Sequence, residues 1–567
     1  MKNSFVFIIM LLLLSGSAAA FPLNTRTAVE MTRNGYVISE DSELRLPSMF
    51  WADPSECVSS TLEPALGEIW HYTIVDGPIQ QNICVGEEAA YVLAGGSYSG
   101  ARMFQGIGGS GDVLWQIDEP VVGTNEYWVW WETGTEISET DEVCFAVSVW
   151  TVYNDNGTPA NPNDDWLVSD DNCVISCYGL DSPIPDWTFD ATGTFYVADA
   201  DAPGMSVIAA DTALFAVSGT QNGHLGILLF DAASDSPIMI YEDPAILDDP
   251  RQLRITSDGS KCIFRYGGTL YRVDMATGTL EDTYSLGAST DCFGVSPDGS
   301  VVAYGFTQAL VATWNGTSYE QAWSMPVSGF IACRAVVASD NSTIYFGVHK
   351  SNYLSNRIIR NDISSSTPLW TFDYPEGSGG YQETIDWMDC SDDGRYVAVA
   401  SWGCQTGGAP EINVFDDLNH NTPVLSLDTP GSMFDIDITA DGQYIAATGK
   451  HVHANQMGNG TDSYFASVWE TGIESGDQMQ DSPVILHPVT PNPVSGSAQF
   501  SYTLQSAGSV SLNVYDASGH LVSNVTGITG NQGFNTAAIE LDIESGIYFC
   551  RLNHETMSET RRFVVVR

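Results

Sequence analysis

Eight times along the chain an apolar stretch rich in small residues follows a polar turn. The copies run through Val92-Leu93-Ala94-Gly95-Gly96, Cys144-Phe145-Ala146-Val147-Ser148, Leu214-Phe215-Ala216-Val217-Ser218-Gly219, Cys262-Ile263-Phe264, Val302-Ala303-Tyr304-Gly305, Ile344-Tyr345-Phe346-Gly347, Val397-Ala398-Val399-Ala400 and Ile445-Ala446-Ala447. Their mean spacing is about 50 residues, the period of a repeated supersecondary unit. Ahead of the turn, as in Phe434-Asp435-Ile436-Asp437-Ile438, apolar and polar positions alternate and predict a half-buried strand. The turn is clearest at Ser296-Pro297-Asp298-Gly299, Ser391-Asp392-Asp393-Gly394 and Thr439-Ala440-Asp441-Gly442, where glycine supplies the positive φ of a tight hairpin. A third strand follows, as in Gly226–Asp231 and Glu411–Asp416. A fourth starts on tryptophan at Trp115, Trp187 and Trp370, and prolines ahead of the latter two suit a sheet edge.

Four strands per repeat predict an all-β fold, a seven- or eight-bladed β-propeller over residues 81–478. Small residues suit the crowded inner strands, and large aromatics suit the rim, where the wedges are widest. The Ser-Pro-Asp-Gly turns resemble those of WD40-like propellers, although the Trp-Asp dipeptide is missing from its usual place. Gly111-Asp112-Val113-Leu114-Trp115 is similar to repeats of propellers related to the quinoprotein dehydrogenases. Residues 21–80 read as an N-terminal arm or partial blade, and 479–490 as a linker.

Beyond the linker, residues 491–567 alternate as short strands: Ala498–Tyr502, Val510–Asp516, Gly546–Cys550 and Arg562–Val566. The pattern predicts a small antiparallel β-sandwich of immunoglobulin-like type. Pro491-Asn492-Pro493, Val514-Tyr515-Asp516 with Gly519, Gly546-Ile547-Tyr548 and the basic-then-apolar end from Arg561 resemble the C-terminal sorting domain of the bacterial type IX secretion system. That resemblance implies engagement of the secretion machinery through residues 491–567 and display outside a Gram-negative-type cell. Lys2, the apolar run Phe5–Leu14 and Ala18-Ala19-Ala20 form a signal peptide over residues 1–20. No later run is long and apolar enough for a transmembrane segment.

Charge narrows the partners. With 71 acidic against 20 basic residues the formal net charge is -51, which repels nucleic acid and anionic lipid. Export permits disulfides among the eleven cysteines. Cys144 with Cys173, and Cys390 with Cys404, are candidate pairs, whereas Cys173 and Cys177 lie too far apart along one strand.

Candidate chemistry is sparse. Asn154, Asp155, Asn156, Asp164 and Asp165 concentrate hard oxygen donors in one insertion and are candidate Ca²⁺ ligands; a solvated turn uses the same residues. Trp128 and Trp130, alternating in Tyr127-Trp128-Val129-Trp130-Trp131, are expected on one strand face as a glycan-stacking platform, with packing between blades as the structural counterpart. His451-Val452-His453 sets two imidazoles on one side of a strand without a third ligand. No catalytic or cofactor-binding set emerges. The function expected is an exported, surface-displayed binding or scaffold module for a glycan or protein ligand. The alternative is a cofactor- or metal-dependent propeller enzyme such as a quinone-dependent dehydrogenase.

Overall fold

The computed structural model describes residues 67–468 and 484–565, each with short gaps, and a hairpin pairing Thr27–Thr32 with Gly35–Glu40. The expected signal peptide and Cys57 lie outside the described residues. The chain divides into two compact units, residues 1–471 and 472–567.

In the first unit, eight four-stranded antiparallel units follow one another among the described residues. Seven are continuous in sequence, at residues 79–116, 126–190, 205–243, 251–285, 292–326, 330–373 and 385–427. The eighth takes three strands from residues 433–467 and its outer strand from Glu68–Ile74, paired with Thr461–Ser467. The first two sheets are also joined through Gly96 with Thr133 and Ser97 with Glu132. First strands of successive sheets lie side by side, save between the fourth and fifth, which share a core through Ile263, Leu270, Phe293 and Val295, and that of the eighth packs against that of the first. The ring so closed is a β-propeller. Trp70, Tyr72 and Ile74 of the closing strand share one core with Ile83, Val92, Phe104 and Phe465.

All eight small-residue stretches are second strands. Their rule is burial more than smallness, because Phe145, Phe215, Phe264, Tyr304, Tyr345 and Phe346 on the same strands are as inaccessible as Ala94 or Ala303. The turns after the first strands share one construction. Ser296 Oγ donates to Asp298 Oδ1 (2.7 Å), which also accepts the Ser300 N–H (2.8 Å), while Val301 N–H donates back to Ser296 Oγ (3.0 Å). Thr256, Ser391 and Thr439 repeat it with Asp258, Asp393 and Asp441. The following glycines have φ between +67° and +72°. Turns also bond to one another around the ring: Ser257 N–H to Pro297 O, Asn341 to Asp298, Asp340 N–H to Asp392 O, and Asp392 N–H to Ala440 O.

The fourth-strand tryptophans form a second repeated tie. Each indole N–H donates to the turn between the third and fourth strands of the next sheet: Trp115 to Leu180 O (2.8 Å), Trp187 to Ala232 O (2.7 Å), Trp323 to Ile363 O (2.6 Å) and Trp370 to Asp417 Oδ1 (2.5 Å). Trp70 makes the closing link to Gly106 O (3.3 Å).

The second unit comprises sheets of three and four strands with a common core that includes Phe500, Tyr502, Leu512, Val514, Leu552 and Phe563. Cys550 is one of its core side chains, acting there as a small apolar group. The ten described cysteines are all free thiols. Cys144 lies opposite Tyr178 and Cys173 opposite Val149, five rungs apart, so adjacent strands do not bring these two together. Cys390 and Cys404 are likewise unbonded.

Candidate functional site: carboxylates at the propeller axis

A propeller leaves one edge of each first strand unpaired, with backbone N–H groups directed at the axis. Three aspartates meet part of this need. Asp435 Oδ2 accepts the Ile83 N–H (2.9 Å) and Asp437 Oδ2 the Val85 N–H (2.8 Å), bridging the eighth sheet to the first. Asp389 Oδ2, from the seventh sheet, accepts the Ile438 N–H (3.3 Å) of the eighth. Each carboxylate therefore caps the open edge of the next sheet in the ring.

The caps are crowded. Burial raises Asp389 and raises Asp437 well above the usual carboxylate range, and the Asp389 charge pushes Asp437 further. The two carboxyls are hydrogen-bonded neighbours, so they hold one proton more readily than two negative charges. Glu136, from the first strand of the second sheet, is raised to about 7 by burial; Arg254 opposes the shift and Asp435 adds to it. The Arg254 guanidinium acts on both Glu136 and Asp389, which belong to the second and seventh sheets. Arg254 stands on the fourth sheet, so its charge lies towards the axis. The arrangement suits a ligand with positive charge, or one that gives and takes protons near neutral pH.

The connections between second and third strands, with those between sheets, form the opposite face from the aspartate turns. Asp462, 0% exposed in its side chain, lies 2.9 Å from His71 Nε2 and 2.8 Å from His451 Nδ1, and accepts Thr73 Oγ1 at 2.7 Å. Burial works against its charge, yet the bonds from His451 and His71 hold its carboxyl below the usual range. His451 is raised by the same contact. His453 instead reaches Trp402 O through Nδ1 (3.0 Å), so the two histidines of this stretch serve different partners.

The other residues singled out by sequence are placed as follows. Trp128 is 9% exposed and packs at 5.7 Å, edge to face, with Trp131, in a cluster that includes Tyr98. A bulge between Trp128 and Trp130 breaks the alternation and brings Trp128 and Trp131 into one core, where strict alternation sets Trp131 on the other face. The Trp130 side chain lies outside the described residues. Asn154, Asp155, Asn156, Asp164 and Asp165 do gather. Asn154 Oδ1 accepts Asn156 N–H, Asp155 Oδ1 accepts Gly157 N–H, Asp164 Oδ2 accepts Thr158 Oγ1 (2.8 Å), and Asp165 Oδ2 accepts the Tyr127 hydroxyl (2.6 Å). These bonds shape the turn. Among the described residues no three His, Cys, Asp or Glu side chains are set to hold a metal ion. A surface hollow of about 380 Å³ beside Glu88, Tyr91 and Leu114 holds none of the axial groups.

Residues 488–566 match the family described as the secretion system C-terminal sorting domain. The second unit carries this sorting domain. It marks the protein for type IX export to the cell surface or beyond, and for contact with that machinery. A search of curated proteins gives no match. Among solved structures, the chain is similar to the C-terminal WD40 domain of Sif2, with TM-score 0.46 and 12% identity over 71% of this chain and 99% of that one. It is also similar to Kuenenia stuttgartiensis hydrazine synthase (TM-score 0.33, 14% identity, 44% and 74% covered). A chain of the mitotic checkpoint complex gives TM-score 0.34 and 15% identity, with 44% and 73% covered. Among the described residues no helix is long and apolar enough to cross a membrane.

Proposed function

We propose that this exported propeller is a surface binding module whose axial carboxylates receive a positively charged ligand. The observation that carries the reading is the convergence of Glu136, Asp389, Asp435 and Asp437 from three sheets upon one axis. Caps for backbone N–H groups need only acceptors, and Asn or Ser would serve without the cost of burying charge. Carboxyls held at the edge of ionisation instead gain from an arriving cation, which relieves their repulsion. Export, for which the sorting domain marks the protein, supports the reading because an exported protein meets external ligands.

The test uses the full mature chain and fluorescein-labelled tetralysine, followed by anisotropy at 150 mM salt so that diffuse attraction to the acidic surface is screened. Asp389→Asn with Asp437→Asn is compared with the exposed pair Glu87→Gln with Asp112→Asn. Loss of saturable binding in the axial pair alone supports the site. Equal binding by both variants removes it.

A further inference from the structure

The layer of the axis that holds the carboxylates also holds one charge of the opposite sign. Asp389 and Asp437 each stand two residues ahead of the hydroxyl residue that opens their turn, Ser391 and Thr439. Arg254 stands two ahead of Thr256, which opens the same turn in the fourth sheet. Glu136 stands two ahead of Ser138, and a bond common to the turns fixes that equivalence. Leu180 N–H donates to Glu142 O as Met275 N–H does to Ser260 O, with the acceptors four residues beyond Ser138 and Thr256. The four side chains therefore leave matching points of the second, fourth, seventh and eighth sheets, at one depth along the axis. In a ring of eight the fourth sheet lies across from the eighth.

Arg254 breaks the rule of that layer. From this position Asp389 and Asp437 each accept an N–H of the next sheet, that of Ile438 and of Val85, the residue just before its turn. The corresponding N–H beside Arg254 belongs to Val295, and a guanidinium, which has only donors, cannot cap it. The first strands of the fourth and fifth sheets also stand apart here, and the fifth presents Gly294 at this level. Arg254 is exposed where the three acids are half-buried. Among the described residues its guanidinium is in no hydrogen bond and no close ion pair, yet its charge is felt by Glu136 and Asp389. Arginines elsewhere do close on their acids: Arg272 on Glu281 (3.0 Å), Arg357 on Asp373 (2.6 Å) and Arg395 on Asp416 (2.9 Å). At the axis the opposite charges face one another across a gap.

A ligand positive throughout would be repelled by Arg254. One that also carries a carboxylate would pair with it, because the planar guanidinium meets a carboxylate through two parallel N–H···O bonds. We propose that the ligand of this axis is a dipolar ion of the amino-acid class, its ammonium group towards Asp389 and Asp437 and its carboxylate on Arg254. This rests on the axial reading given above and adds the second charge.

Isothermal titration of the full mature chain at 150 mM salt compares L-lysine with cadaverine, the same diamine without its carboxylate. A site for cations alone prefers cadaverine, which carries the higher positive charge. The dipolar site prefers lysine, by roughly 10- to 100-fold. Arg254→Met is expected to reverse the order, weakening lysine and tightening cadaverine, and the exposed, unbonded position of Arg254 spares the fold. Arg254→Lys keeps the charge without the fork and is expected to retain a smaller preference for lysine. Lysine bound no better than cadaverine by wild type, or a preference for lysine undiminished in Arg254→Met, would overturn the proposal. The axial reading itself is judged separately, by the loss of tetralysine binding in Asp389→Asn with Asp437→Asn.

Discussion

Asp462→Ala tests how the ring is closed. Asp462 is fully enclosed, and two of its three partners, His71 and Thr73, stand on Glu68–Ile74, the strand that completes the eighth sheet. Removing one member of a buried ion pair costs about 3–5 kcal/mol. Here the stranded histidines keep some access to water, with His71 10% and His451 22% exposed, so the lower end, about 3 kcal/mol, applies. Because the loss falls on the closing strand, it should appear there before it appears in global unfolding. A change of this size raises the strand's opening constant roughly 100-fold. Hydrogen exchange of the Glu68–Ile74 amides, corrected for intrinsic rates, reads that constant directly. The pH dependence follows from the two shifts. Asp462 is depressed, so its contribution is complete above the ordinary carboxylate value and is lost as pH falls through its lowered value. His451 is raised, so its contribution is complete below the ordinary imidazole value and is lost as pH rises through its raised one. The closing strand should be best protected between about pH 4 and 6.5, and Asp462→Ala should flatten that maximum. Protection within about threefold of wild type at pH 5.5 would refute the reasoning, since the change would then be under 1 kcal/mol.

Three further outcomes follow. Trp187→Phe keeps the stack on Phe230 but leaves Ala232 O without its indole donor, so the urea midpoint should fall by the equivalent of about 1–2 kcal/mol; an unchanged midpoint would take the tie out of the fold's energetics. Asp437→Asn keeps an acceptor for Val85 N–H and removes a carboxylate whose raised affinity for protons costs stability as pH climbs above the ordinary carboxylate value. Melting should therefore occur at higher temperature in the variant at pH 7.5, with a smaller gain at pH 5, and a loss at both would contradict the assignment. Free thiols predict that Cys144, Cys173 and Cys404, all buried, resist iodoacetamide at pH 8 in native protein, and that these three and the half-buried Cys390 react without reductant in denaturant. Peptide mapping that finds any of them oxidised would contradict this.

Much of the architecture was legible because the repeat states it in local chemistry. A Ser or Thr two residues before Asp-Gly builds the same hydroxyl–carboxylate turn wherever it occurs, and apolar Ala-rich stretches have nowhere to go but between sheets. Trp115, Trp187 and Trp370 announced the outer strands, but their indole bonds to the next sheet did not show, because that partner lies in another repeat. Trp70 and Trp323 play the same part without the Trp-x-Phe/Ile-Asp context that marks the other three. The bulge at Trp128 was invisible for a related reason: strict alternation assumes an unbroken register, and one extra residue turns Trp128 and Trp131 to the same core. The closing strand was hidden by sequence distance, since Glu68–Ile74 pairs with residues nearly 400 positions later.

The axial site shows where a pattern can be right about structure and silent about chemistry. Asp435 and Asp437 were the polar half of a strand expected to be half-buried, an unremarkable alternation for a sheet with one wet face. In a propeller a first strand lines the axis, where Asp435 and Asp437 are half-buried, and a carboxylate that has lost part of its water there gains from N–H groups, a counter-ion or a proton. Asp389 and Glu136 occupy such first strands and obey the same constraint. An acid alternating within the strand ahead of an Asp-Gly turn is therefore the available signal, and it becomes readable only once the fold is known to be a ring. The aspartates of the turns, by contrast, recur at fixed places, bond to the backbone around them and hold the frame. Asp389 and Asp437 also recur, each two residues before the turn Ser391 or Thr439, and cap backbone N–H groups of the next sheet; on the function proposed above their charge does a second task.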